Sequence, residues 1–152
     1  GTITTLGTDW TVAPTGVFTA AYSTTTFSGA GASTLNSGGT DGNHDFYNLV
    51  FAKTSLATTT VSGYNIKVSN HVEIGVNSVF DVSTSNYDLN VGGNWQNSGK
   101  FEARQATTTF DAAAAGFSVN PGAWPFYNVV FNSAGGGWTV TAAPASLTKT
   151  LA

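Results

Sequence analysis

The chain has 152 residues, 41% of them hydrophobic and 12% aromatic, enough apolar surface to bury a core and to argue against disorder. Only 9% are charged, against roughly 25% in ordinary soluble domains, and the net charge is −3, so Thr, Ser, Asn and Gly carry the polar positions. Five scattered basic residues cannot form the stripe a nucleic acid demands, no apolar run approaches the roughly 20 residues of a membrane span, and without cysteine there is no disulfide or thiolate site.

In chain order, GTITTLGTDW from Gly1 opens as a strand. It is followed by TTTFSG from Thr24, FYNLVFA from Phe46, TTTVSG from Thr58, NIKVS from Asn65, HVEIGV from His71, SVFDVS from Ser78 and YDLNVGG from Tyr87. KFEARQ from Lys100, TTTFDA from Thr107, GFSVN from Gly116, FYNVVFN from Phe126, WTVTA from Trp138 and a terminal SLTKTLA complete the series. Each stretch is rich in β-branched or aromatic residues and is bounded by Gly, Asn, Ser or Pro, the pattern of short strands. No window has a helical period, and AAAAG from Ala112 is too short to nucleate a helix. The expectation is an all-β chain. It holds no methionine and both ends read as interrupted strands, so it is expected to be a mature or excised segment of something longer.

FYNLVF at Phe46 returns as FYNVVF at Phe126, and the flanks align with it. Trp10 pairs with Trp95, Gly16 with Gly99, Phe18 with Phe101, and TTTF at Thr24 with TTTF at Thr107; residues 7–54 match 92–134. Copy one is longer around Pro14 and in SGGTDGNHD. The chain thus reads as a single all-β unit, residues 1–152, holding one and a half to two copies of a repeat of roughly 80 to 85 residues, as in stacked architectures.

Strands every 8 to 12 residues fit a sandwich or a solenoid. Thr and Asn at strand positions, where stacked turns form hydroxyl and amide ladders, favour a parallel β-helix (β-solenoid). A β-sandwich, pilin-like module is the alternative. In YDLNVGGNWQNSGKF, TTTF and FYNLVF the sequence resembles repeat segments of large bacterial surface proteins with β-solenoid stalks, of the filamentous-haemagglutinin and autotransporter-adhesin kind. That resemblance implies an extracellular or cell-surface location.

Candidate chemistry is sparse. The eight carboxylates carry no glycosidase context, and Glu102 with Arg104 on one strand face reads as an exposed pair that copy one lacks, with Thr19 and Ala21 in its place. His44 and His71 stand apart from any nucleophile motif. Asp41, Asn43 and Asp45 in TDGNHDF alternate as half of a calcium loop does, although Asp, Gly and Asn are also ordinary turn residues. Trp124 and Trp138 lack aromatic counterparts in copy one and are the candidates for stacking on a sugar ring. No cofactor and no catalysis are expected. The function read here is a structural module of an extracellular assembly: a stalk, adhesin shaft or filament subunit that self-associates through its terminal strands or continues into covalent neighbours. A carbohydrate-binding module of a larger secreted protein, with polysaccharide as partner, is the alternative.

Overall fold

A computed structural model describes residues 3–141, with side chains from Leu6 onward. The expected SLTKTLA strand lies outside the described residues, as do Gly1 and Thr2. The described residues wind as a β-solenoid of about six turns, with no helix among them. The first turn contributes β1 (Ile3–Leu6) and β2 (Trp10–Thr11); the second, β3 (Thr24–Phe27) and β4 (Ser33–Asn36). Three strands per turn follow: β5 (Asn48–Phe51), β6 (Ala57–Val61) and β7 (Ile66–Val68), then β8 (Val72–Ile74), β9 (Ser78–Asp81) and β10 (Leu89–Val91), then β11 (Trp95–Asn97), β12 (Lys100–Glu102) and β13 (Thr107–Phe110). β14 (Ala115–Asn120), β15 (Asn128–Phe131) and β16 (Gly137–Val140) complete the winding.

Like faces stack. The first sheet runs β1-β3-β5-β8-β11-β14-β16, the second β2-β4-β6-β9-β12 and the third β7-β10-β13-β15. All thirteen strand pairings among the described residues are parallel, so the antiparallel sandwich is excluded. One turn takes 19 residues where Leu89 lies against Thr108 and 26 where Ser33 lies against Thr59.

Alternation along strands such as β3, β6, β7 and β10 sends every second side chain inward. In β3, Thr25 and Phe27 are buried while Thr24 and Thr26 are half-buried. Parallel register then converts alternation into axial columns. Phe27 lies under Phe51 with ring centroids 5.6 Å apart and planes 20° apart, and Phe51 meets Phe80 at 4.3 Å. Along the third sheet Val68, Val91, Phe110 and Phe131 follow one another. At the corner before the first sheet, Asn48 Nδ2 donates to Thr24 Oγ1 at 3.1 Å and Asn70 Nδ2 donates to Asn48 Oδ1 at 2.9 Å. There the His71 amide donates to Asn48 Oδ1, the Asn94 amide to His71 Nδ1, and the Ser118 amide to Asn94 Oδ1, making the expected polar ladder.

The repeated hexapeptide is the upper rung of a two-turn stack. Thr24 to Phe27 lie against Asn48 to Phe51 in the first sheet; Thr107 to Phe110 lie against Asn128 to Phe131, in the same register, in the third. From the first sheet of turn two to the third sheet of turn five is three full turns and two further faces. The repeat is therefore out of phase with the winding. Its aromatic contents keep their mutual geometry through this rotation. Trp10 meets Phe18 at 4.8 Å and Phe46 at 5.8 Å, and Trp95 meets Phe101 at 4.9 Å and Phe126 at 5.1 Å.

Turns approach closely at one corner. A Cβ at Gly99 would lie 2.2 Å from the Gly75 carbonyl oxygen and 2.4 Å from that of Ser78, so only glycine lets these backbones meet. Gly99→Ala is expected to destabilise the fold by more than 2 kcal/mol, and Phe51→Ala, which empties a fully buried site, by about 4 kcal/mol. Urea unfolding of each variant measures both; a loss below about 1 kcal/mol in either would show that the stack relaxes around the change.

Candidate functional site

The segment from Asp41 to His44 is a tight turn, closed by the His44 amide donating to the Asp41 carbonyl at 2.9 Å. Asp41 Oδ1 accepts the Asn43 amide at 2.9 Å and lies 2.7 Å from His44 Nδ1; these bonds hold its carboxyl below the usual carboxylate range. The Asn43 carbonyl accepts the Phe18 amide, tying the loop to the turn below. Asp45 points elsewhere, with Oδ2 3.6 Å from Lys67 Nζ. The Asp41 and Asp45 carboxylates thus serve different partners, and among the described residues no three His, Asp or Glu side chains gather as a metal site.

Asp45 differs from the other acids. Its Oδ1 is buried without a protein hydrogen-bond partner, and burial raises its carboxyl above the usual range against the lowering pull of Lys67. A groove of about 200 Å³ opens beside it, lined by Thr19, Ala21, Gly42, Asp45, Tyr47 and Ser69. TDGNHDF supplies Gly42 and Asp45, but the remaining walls come from neighbouring turns, so the sequence does not mark the groove.

The two candidate tryptophans separate. Trp138 is half-buried, packs 5.3 Å from Phe131 and 5.9 Å from Phe110, and donates its indole N–H to the Gly93 carbonyl at 3.2 Å. Trp124 is 40% exposed, with Lys100 Nζ 4.5 Å from its ring centroid.

Charged groups elsewhere fasten turn to turn. Arg104 Nε lies 4.0 Å from Glu102 Oε2, so the two do pair, but they do not share a strand face: β12 ends at Glu102 and Arg104 takes a left-handed φ of 50°. From there its guanidinium bonds both oxygens of Asp81, at 2.9 and 2.7 Å, one turn away. Burial would raise the Asp81 carboxyl, but Arg104 and the Ser83 amide outweigh that and hold it low. Lys100 pairs with Glu102 beside it. Lys53, buried, donates from Nζ to the Ser28 and Gly31 carbonyls and to Ser33 Oγ, at 3.0 to 3.2 Å. Nothing in the sequence near Lys53 signals this role, since all three acceptors lie one turn back.

The chain matches no protein-family model, no curated protein and no solved structure.

Burial holds the His71 imidazole below its ordinary 6.5, and its Nδ1 accepts the Asn94 amide, so the folded chain resists a proton that the unfolded chain takes. Stability is therefore expected to fall as pH drops below 6.5 and to level off once pH passes the lowered folded value. Asp81, with its folded value depressed, adds a second loss beginning below 3.8. Urea midpoints across this range test both: His71→Gln should flatten the upper decline and Asp81→Asn the lower, while an unchanged profile would assign the titration elsewhere.

Proposed function

We propose that this chain is a structural segment of an extracellular or cell-surface assembly, a stalk, adhesin shaft or filament subunit whose task is reach and stiffness rather than catalysis. The observation that carries the reading is the unbroken axial order. Sheet hydrogen bonds and the inward aromatic columns run along one direction, so each added turn lengthens the body by about 4.8 Å. About six turns give a rod segment of roughly 29 Å. Half-exposed Thr and Asn on the outer faces make a neutral surface, in keeping with the resemblance to solenoid stalks of bacterial surface proteins.

Self-association fits the same geometry. Among the described residues β1 pairs only with β3, and β16 only with β14, so both bound the first sheet as open edges. An open parallel edge is a template for a further strand. Light scattering over a concentration series, with negative-stain microscopy of the same samples, is expected to show rods or concentration-dependent oligomers. A strict monomer at every concentration would sink self-assembly and leave only continuation within a longer chain. A second reading, carbohydrate binding, is favoured by the exposure of Trp124; it requires saturable polysaccharide binding that Trp124→Ala removes while the fold persists.

A further inference from the structure

The repeat shows how the end of a copy is covered. LGTDW from Leu6 recurs as VGGNW from Val91, and Asp9 Oδ1 accepts the Thr34 amide where Asn94 Oδ1 accepts that of Ser118. One turn on, Leu35-Asn36 and Val119-Asn120 correspond, each asparagine accepting the amide of a glycine two residues later. Thus β1 matches β10, β2 matches β11, β5 matches β15 and β6 matches β16. In copy two the lower edge is sealed. Val91 lies on Val68 of β7, Trp95 lies on Val72 of β8, and both are fully buried. Among the described residues no strand lies beneath β1 or β2, and the matching Leu6 and Trp10 are only half-buried. The upper end differs in the same sense. Phe51 and Val61 of copy one, covered by β8 and β9, are 0% and 1% exposed, whereas Phe131 is half-buried and Val140 is 51% exposed. Each end therefore presents core positions that the interior covers with a further turn of the same chain.

We propose that a second copy of this chain docks end on, setting its first turn on the upper end of the first copy with β1 on β15 and β2 on β16. The proposal rests on the self-association reading and gives it a polarity, a rotation and a register. The rotation follows from which strands stand at each end. The winding opens with β1 and β2, in the first and second sheets, and closes among the described residues with β15 and β16, in the third and first. Only a turn by one face, first sheet onto third and second onto first, sets both lower strands on strands. The internal repeat makes that same turn, since β10 and β11 lie in the third and first sheets. The register follows from the inward columns. Leu6 continues the column Val68, Val91, Phe110, Phe131, and Trp10 continues the column Val72, Trp95, Val119, Val140. Trp10 on Val140 then repeats the pairing of Trp95 on Val72. Because a lower edge meets an upper edge, the contact is heterologous and does not close, so copies add as an open, polar rod and not as a dimer.

The chain has no cysteine, so disulfide bridging reads the contact directly. Thr11→Cys and Thr141→Cys replace exposed residues that this register sets opposite each other, as Gln96 stands opposite Glu73 inside the chain. Strands about 4.8 Å apart bring such a pair within the Cα span of a disulfide. With oxidised glutathione, a mixture of the two singly substituted chains should give a bridge between the two kinds of chain, identified by mass spectrometry. The doubly substituted chain should give a ladder of covalent oligomers. Val140→Asp, at a position half exposed in the single chain, should keep the circular dichroism of the fold and raise the concentration of half-assembly by about tenfold or more. Rods of the unsubstituted chain that give no mixed bridge, or that grow as well with Val140→Asp, would overturn the proposal while leaving self-association standing. Bridges mainly between two Thr11→Cys chains, or assembly that stops at two copies, would overturn the polarity in the same way. A strict monomer at every concentration would overturn both this contact and the self-association on which it rests.

Discussion

Parallel, in-register stacking of each turn on the one before is the constraint from which everything else in this molecule follows. A strand in such a stack meets its neighbour residue for residue, so whatever faces inward on one turn must fit what faces inward on the next. Aromatic follows aromatic where the column is wide, as from Phe27 to Phe51, and glycine meets glycine where backbones nearly touch, as at Gly75 and Gly99. Inward amides are bonded, whereas the indole N–H groups of Trp10 and Trp95 are buried without a protein acceptor. Asn97, buried, donates to the Pro121 carbonyl and accepts the Gly99 amide, so no polar atom on its side chain is stranded.

The same constraint explains a repeat that does not coincide with the turn. What is duplicated is a piece of stacking: one strand, the strand that lies on it, and the aromatic trio beside them. Because the three sheets offer nearly equivalent surroundings, this piece works equally well on the first sheet and, after three turns and two faces, on the third. A unit selected for a particular outer surface would be expected to return to the same face. This one returns to the same packing, and its divergence is concentrated in a loop outside the stack.

Charge is scarce and mostly used along the axis. Asp9 accepts the Thr34 amide, Asp88 accepts the Thr107 amide, Lys53 holds three oxygens of the preceding turn, and Arg104 grips Asp81. Each partner lies about one winding away in sequence, so these groups fix the spacing of turns at corners where strand pairing stops. Two pairs are local instead: Lys100 with Glu102 on one strand, and Asp41 with His44 within one loop.

The sequence by itself determined the all-β class, the short strands and the stacked character, because period-two alternation and Thr, Asn and Gly in strands are local consequences of pleat and turn geometry. It also revealed the duplicated aromatic trio, since Trp10, Phe18 and Phe46 recur in order. It paired Arg104 with Glu102, as found, but put both on one strand face and missed the bond to Asp81, because a left-handed backbone at a non-glycine residue has no local signature; and it weighed Trp138 equally with Trp124 although one packs on the core and the other stands exposed. Only the tertiary structure decided that the pairings are parallel, that the repeat rotates from one face to another, and that Asp45 borders a groove. Those facts depend on which residues meet across 19 to 26 positions of chain, a distance set by how each turn closes and by nothing within any single strand.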